Sequence, residues 1–230
     1  MPELVMVVAL LVVGSAVGVA LRQRLRRLDH RLPDETDRPA PRSGWVIPTT
    51  ALLTALAWWA TAPGFGLPAG LEVIVPIVYV LAVWTMVPLA FIDLDVHRLP
   101  DRIQLPAYPI LAALLTLCSL ATGDWGALIR ALVAGITLFV LFVVLALLPG
   151  GGIGFGDVKL AGLLGMLLGW LSWAQVFISV MATFLIGGVV AALLLATRTK
   201  GRRDEFAYGP SMLLGAVVAL VYPALLRAIM

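Results

Sequence analysis

Apolar residues gather in long blocks over residues 4–21, 45–62, 71–92, 103–121, 127–148, 158–171, 173–196 and 210–226, with short polar stretches between them. Blocks of about 20 apolar residues match the length a helix needs to cross the hydrocarbon core of a bilayer. Alternating polar and apolar positions over about ten residues, the mark of an outer-membrane barrel, do not occur. The pattern therefore predicts an all-α polytopic membrane protein with about eight transmembrane helices. It divides the chain into a first transmembrane helix (residues 1–21), a short basic loop (22–44) and a membrane core of about seven helices (45–230).

Composition agrees. Of the 230 residues 61% are hydrophobic and 13% charged, with mean hydropathy +1.03. A soluble domain carries nearer a quarter charged residues. The net charge of +3 is not a nucleic-acid signature, because the basic residues lie in the stretches that join apolar blocks. The single cysteine, Cys118, falls inside an apolar block and excludes an intramolecular disulfide or a cysteine-based zinc cluster. No metal or cofactor is called for.

Charge also orients the chain. Arginines follow the first apolar block rather than precede it, which reads as a retained helix with its N-terminus outside and not as a cleaved signal. With that start, 14 of the 16 Lys and Arg fall in loops on the inner side, leaving Arg130 and Arg227. Such asymmetry predicts both termini outside. The basic stretch at residues 22–44 reads as mostly extended and close to anionic lipid, with His30 solvated.

Two polar segments then stand out, because ionisable residues at the mouths of membrane segments point to function. One is Asp93-Leu94-Asp95-Val96-His97-Arg98-Leu99-Pro100-Asp101-Arg102; the other is Gly150-Gly151-Gly152-Ile153-Gly154-Phe155-Gly156-Asp157-Val158-Lys159. The charge count assigns both to one membrane face. The glycine run is no phosphate loop, since Asp157 stands where a Lys-Ser or Lys-Thr pair would follow. Two carboxylates brought close share a proton, so one can deprotonate water while the other polarises a carbonyl. That chemistry suits peptide hydrolysis. The glycines allow unusual backbone conformations or close approach to Asp157. Lys159, two residues on, points away from Asp157 and is free to reach headgroups or substrate. His97 shares a face with Asp93 if the third helix continues one more turn, and Pro100 ends any helix there. Gly162, Gly165 and Gly169 form a small-residue stripe for close helix packing.

Asp93-x-Asp95-x-x-x-Leu99-Pro100-Asp101, together with Gly154-x-Gly156-Asp157-x-Lys159-Leu160, resembles the type IV prepilin peptidases, membrane aspartic proteases of the G-x-G-D class. Tyr208-Gly209-Pro210, with Gly215 beyond it, resembles that family's C-terminal F-G-P element. The resemblance implies that Asp93 and Asp157 are the catalytic pair. Asp95, Leu99, Pro100, Asp101, Gly154, Gly156 and Lys159 are then supporting positions. It further implies cleavage of the short basic leader of prepilin or pseudopilin substrates after a glycine. The cut would fall at the cytoplasmic face of the inner (plasma) membrane, in contact with membrane lipid and with no nucleic-acid partner.

Many family members carry two zinc-binding C-x-x-C pairs after the first span and N-methylate the new N-terminus. Residues 22–44 contain no cysteine. Gly14-Ser15-Ala16-Val17-Gly18 stands where the family usually has an asparagine, and together these departures put methylation in doubt. The alternative class is a proton-coupled transporter, which would place its acids near the midplane and often shows an inverted repeat.

Overall fold

A computed structural model describes residues 2–35, 37, 39–62, 71–148, 153–197 and 207–229. Among them every regular element is helical: α1 (Pro2–Leu25), a short 3-10 turn (Pro33–Glu35), α2 (Val46–Thr61), α3 (Ile74–Val96), α4 (Asp101–Thr122), α5 (Trp125–Leu147), α6 (Phe155–Leu171), α7 (Trp173–Ala196) and α8 (Gly209–Ile229). Six of these helices are long and apolar enough to cross a membrane, while α2 and α6 have 16 and 17 residues. Large side chains such as Leu4, Val12, Ile129, Ile136, Phe177 and Leu185 face outward. In a water-soluble protein that surface would be polar; here it meets lipid. The chain is an integral membrane protein. The sequence also predicts a turn-rich outer loop at residues 63–70 and a basic loop at 197–209; residues 63–70, 149–152 (with the first glycines of the glycine run) and 198–206 lie outside the described residues.

The chain forms two compact units, residues 1–96 and 97–230. In the first, α1 packs on α2 through Gly14 and Gly18. A Cβ at Gly14 would stand 2.7 Å from Cα of Ala51, and one at Gly18 would stand 2.9 Å from Cα of Ile47. Small residues four apart let two backbones meet, the main source of helix association in lipid. Thr50 and Thr54 of α2 return their hydroxyls to the carbonyls four residues back, and Trp84 of α3 donates to Thr54 Oγ1 at 3.0 Å.

The second unit is built around α6. Apart from Lys159, every residue of α6 from Asp157 to Trp170 is buried, as suits a helix apolar on all sides. The glycine stripe read from the sequence does the packing expected of it. A Cβ at Gly165 would stand 2.6 Å from the carbonyl oxygen of Ala134, and Ala131 of α5 backs Gly169. Gly123, at φ 74, ends α4, and Asp124 caps α5 by accepting from the Ala127 N–H at 2.8 Å. At the other end of α6, Arg130 donates to the carbonyls of Gly169 and Trp170, each at 2.7 Å, and of Leu171 at 3.2 Å. Cationic donors satisfy the orphan carbonyls of a helix C-terminus. Arg130, one of the two basic residues left off the inner face by the charge count, thus has a structural task.

Candidate active site

Asp157 occupies the first turn of α6, which opens from an extended Gly154 (φ −72, ψ 152). The N–H of Asp157 returns to the Gly154 carbonyl at 3.0 Å. Its side chain is 8% exposed, so the carboxylate is almost fully withdrawn from water. A helix N-terminus is where negative charge is best tolerated, because the peptide dipoles present their positive end there.

One face of α4 holds this turn. Asp101, Gln104 and Tyr108, at spacings of three and four, all reach α6. Gln104, completely buried, donates its Nε2–H to the carbonyl of Gly156 at 3.0 Å. Tyr108 donates its hydroxyl to the carbonyl of Lys159 at 2.7 Å, and Lys159 Nζ donates to Asp101 Oδ1 at 2.6 Å. The two carbonyls flank Asp157 in sequence. Pro100 stands at the N-cap of α4 in extended conformation, so it opens a helix rather than merely ending one. Leu99 packs onto Gly156: a Cβ there would come within 2.9 Å of Leu99 Cβ.

Two sequence expectations change here. Lys159 is not free to reach headgroups or substrate, because Asp101 engages it. The conformational reason for the glycines also fails at Gly154, whose φ is open to any residue, while Gly156 is constrained by space. Gln104 and Tyr108 were not singled out from the sequence. Their signal was a polar pair four apart on an otherwise apolar helix, three residues past Asp101.

Asp93 lies in the last turn of α3, 4% exposed. Asp95, two residues on, is bound instead by the basic stretch that follows α1. Arg31 donates Nη2–H to Oδ1 at 2.6 Å and Nε–H to Oδ2 at 2.9 Å, and His30 Nε2 lies 2.7 Å from Oδ2. This forked contact uses both carboxylate oxygens, which leaves Asp95 poorly suited to activate water. His30 is therefore not solvated: its side chain is 8% exposed and meets Phe91 edge-on at 6.1 Å. Nor is the stretch mostly extended. α1 continues through Leu25, Leu28 turns the chain at φ 58, and Pro33–Glu35 forms a 3-10 turn, which together bring residues 30–31 to the end of α3. α3 stops at Val96, and His97 follows at φ 55, a left-handed conformation that histidine tolerates. α3 does run about one turn past Ile92, but it stops one residue short of His97, which leaves the helix and does not share the helical face of Asp93. Asp93 belongs to the first unit and Asp157 to the second.

Tyr208 adds a group to the second unit. Its ring packs against Phe184 at 6.3 Å and leaves no room for a Cβ on Gly187, which would meet Cε2 at 2.8 Å. Burial first, and the Asp157 carboxylate second, push its phenol up to about 12. Tyr208 thus keeps its proton well above neutral pH and feels the charge of Asp157.

The model of the type IV leader peptidase family matches residues 80–195, half the chain, from α3 to α7 with both buried aspartates inside it. The chain belongs to the type IV leader peptidase family. Three curated relatives carry the name prepilin leader peptidase/N-methyltransferase. That of Aeromonas hydrophila is 31% identical over 180 residues, which cover 75% of this chain and 56% of the relative. That of Bacillus subtilis is 28% identical over 181 residues, 79% of this chain and 68% of the relative. That of Pseudomonas aeruginosa is 26% identical over 174 residues, 75% and 56%. The chain thus aligns with little more than half the length of the Aeromonas and Pseudomonas relatives. No solved structure matches it.

Proposed function

We propose that this leader peptidase family member is an aspartic endopeptidase that removes the short N-terminal leader of prepilin-like proteins at the cytoplasmic face of the inner membrane. Asp157, at a helix N-terminus where negative charge is stabilised, is the base that takes a proton from water. Asp93, in the last turn of α3 where the dipole opposes negative charge, is the acid that donates to the scissile carbonyl oxygen. Water attacks the carbonyl carbon; as the tetrahedral gem-diol collapses, the proton gained by Asp157 passes to the leaving amine and a gem-diol hydroxyl returns its proton to Asp93. Prepilin or pseudopilin chains supply the substrate, with the cut after a glycine that precedes an apolar helix.

The observation that carries this reading is a buried carboxylate in each of the two motifs, both inside the family match. Asp93 and Asp157 lie at helix ends rather than mid-span, which favours a peptidase over a proton-coupled transporter. The Gly14–Gly18 segment, where the family usually has an asparagine, is committed to packing on α2. That packing and the cysteine-free basic stretch keep N-methylation in doubt, and proteolysis is the activity proposed.

Co-expression with a pilin-like substrate in cells lacking their own peptidase tests the proposal by leader removal on a gel. Asp93→Asn and Asp157→Asn should each abolish processing. Processing by both variants would refute the two-aspartate mechanism. Mass measurement of the processed N-terminus should show no added methyl group.

A further inference from the structure

The arginines of the first unit divide into two kinds. Arg31 is consumed by Asp95. Arg22 and Arg26 are not: among the described residues no carboxylate pairs with either. Arg22 donates to the hydroxyl of the buried Ser43, at 3.3 Å. Both arginines line a cavity of about 350 Å³, together with Leu28, Ala40, Pro41, Ser43 and Phe91. That volume falls at the low end of the range of about 300–1,000 Å³ typical of ligand pockets.

The cavity is built, not incidental. The Arg26 N–H continues the turn of α1 by donating to the Arg22 carbonyl at 3.0 Å, so the two side chains leave one helical face. Phe91 packs against the rings of both His30 and Trp45. His30 and Arg31, clamped on Asp95, hold the returning chain in place. Two guanidinium groups, a hydroxyl and no carboxylate among the lining residues make a pocket for an anion. A planar donor fork matches a phosphate or carboxylate group best.

Position selects phosphate. α1 exposes Leu4, Val8, Val12, Val13 and Val19 ahead of Arg22, where its run of arginines begins. The cavity therefore sits where a lipid-facing helix turns polar, the level of the headgroups. We propose that Arg22 and Arg26 form a phosphate-ester site at the end of α1. The membrane's anionic headgroups are its nearest source, with their acyl chains lying along the exposed face of α1.

Arg24 and Arg27 are exposed and do not line the cavity, which supplies a control of equal charge. The full chain in a neutral detergent is titrated with dihexanoyl-phosphatidylglycerol, dihexanoyl-phosphatidylcholine and inorganic phosphate, and bound species are counted by native mass spectrometry. Phosphatidylglycerol should bind saturably at one site. Arg22→Gln/Arg26→Gln should weaken it by about tenfold or more, the loss expected of even one charge-assisted hydrogen bond. Arg24→Gln/Arg27→Gln should change it by less than about threefold, as screened long-range charge would. Ala40→Phe, which fills the cavity and leaves both arginines, should match the Arg22/Arg26 loss and guards against a misfolded double variant. Equal weakening by the two arginine pairs would overturn the site in favour of diffuse attraction, as would the absence of saturable binding. Competition by inorganic phosphate, with the same dependence on Arg22 and Arg26, would assign the site to free phosphate; no competition would assign it to the lipid.

Discussion

Gln104 donates its side-chain amide to the carbonyl of Gly156, 52 residues away in sequence and one residue before Asp157. A buried side chain on α4 is thus bonded to the backbone that aims the carboxylate. Tyr108 repeats the contact at Lys159, so the start of α6 is held on both sides of Asp157.

Replacing Gln104 by Leu should strand the Gly156 carbonyl. A buried polar group deprived of its partner costs about 1–3 kcal/mol, so thermal unfolding should move down and leader cleavage should fall. Gln104→Glu separates positioning from simple stability. A carboxylate would confront the carbonyl, whereas the protonated acid can donate to it. Cleavage by Gln104→Glu relative to wild type should therefore rise as pH falls, and that of Gln104→Leu should stay flat. A flat ratio for both would leave Gln104 a packing residue.

The two described glycines before Asp157 should respond differently. Ala at Gly156 would push into Leu99 Cβ at 2.9 Å, and crowding of a packed site costs about 1–3 kcal/mol. Ala at Gly154 makes only ordinary contact with Asp157 Oδ2 at 3.6 Å and suits the local backbone. Gly156→Ala should lose most leader cleavage, Gly154→Ala should retain it, and Leu99→Gly, which removes the clashing Cβ, should partly rescue Gly156→Ala. Equal damage at both positions would return the explanation to backbone freedom.

Much of this was legible in the linear pattern. Long apolar blocks gave the helices, and the Gly162–Gly165–Gly169 stripe gave the close packing of α5 on α6, because both depend on residue type at local spacing. The Gly123–Asp124 pair, of residue types that favour a tight turn, is legible for the same reason. What escaped were pairings across long separations. Lys159 looked free because its partner Asp101 lies 58 residues earlier, and His30 looked solvated because Asp95 lies 65 residues later. A polar side chain in a loop carries no local mark of the element it will meet. Gln104 is harder still: with Asp101 and Tyr108 it marks one face of α4, but nothing local says that this face meets the start of α6.

Asp95 and Arg31 test the division of labour among the acids. Arg31→Met leaves a buried carboxylate without its fork, and removing one partner of a buried pair is more damaging than removing both. The melting temperature should drop further for Arg31→Met than for Arg31→Met/Asp95→Leu. Asp95→Asn should keep partial leader cleavage under conditions where Asp93→Asn has none. Complete loss at Asp95 with activity retained at Asp93 would move the catalytic role to Asp95.

Tyr208 predicts an alkaline signature. In the unfolded chain its phenol titrates near the ordinary value of 10.0, while in the folded protein burial and the Asp157 carboxylate push it up to about 12. The folded state therefore holds the proton more tightly over that window, and stability must fall as pH rises from about 10 towards 12. Below that window the phenol is protonated in both states, and its raised value contributes in full. Tyr208→Phe removes the titration. Melting curves at pH 9 and pH 11 should show a steeper drop for wild type than for Tyr208→Phe. If Asp157→Asn also makes the wild-type drop shallower, the charge of Asp157 is felt at Tyr208; if it leaves the drop unchanged, burial alone raises the phenol.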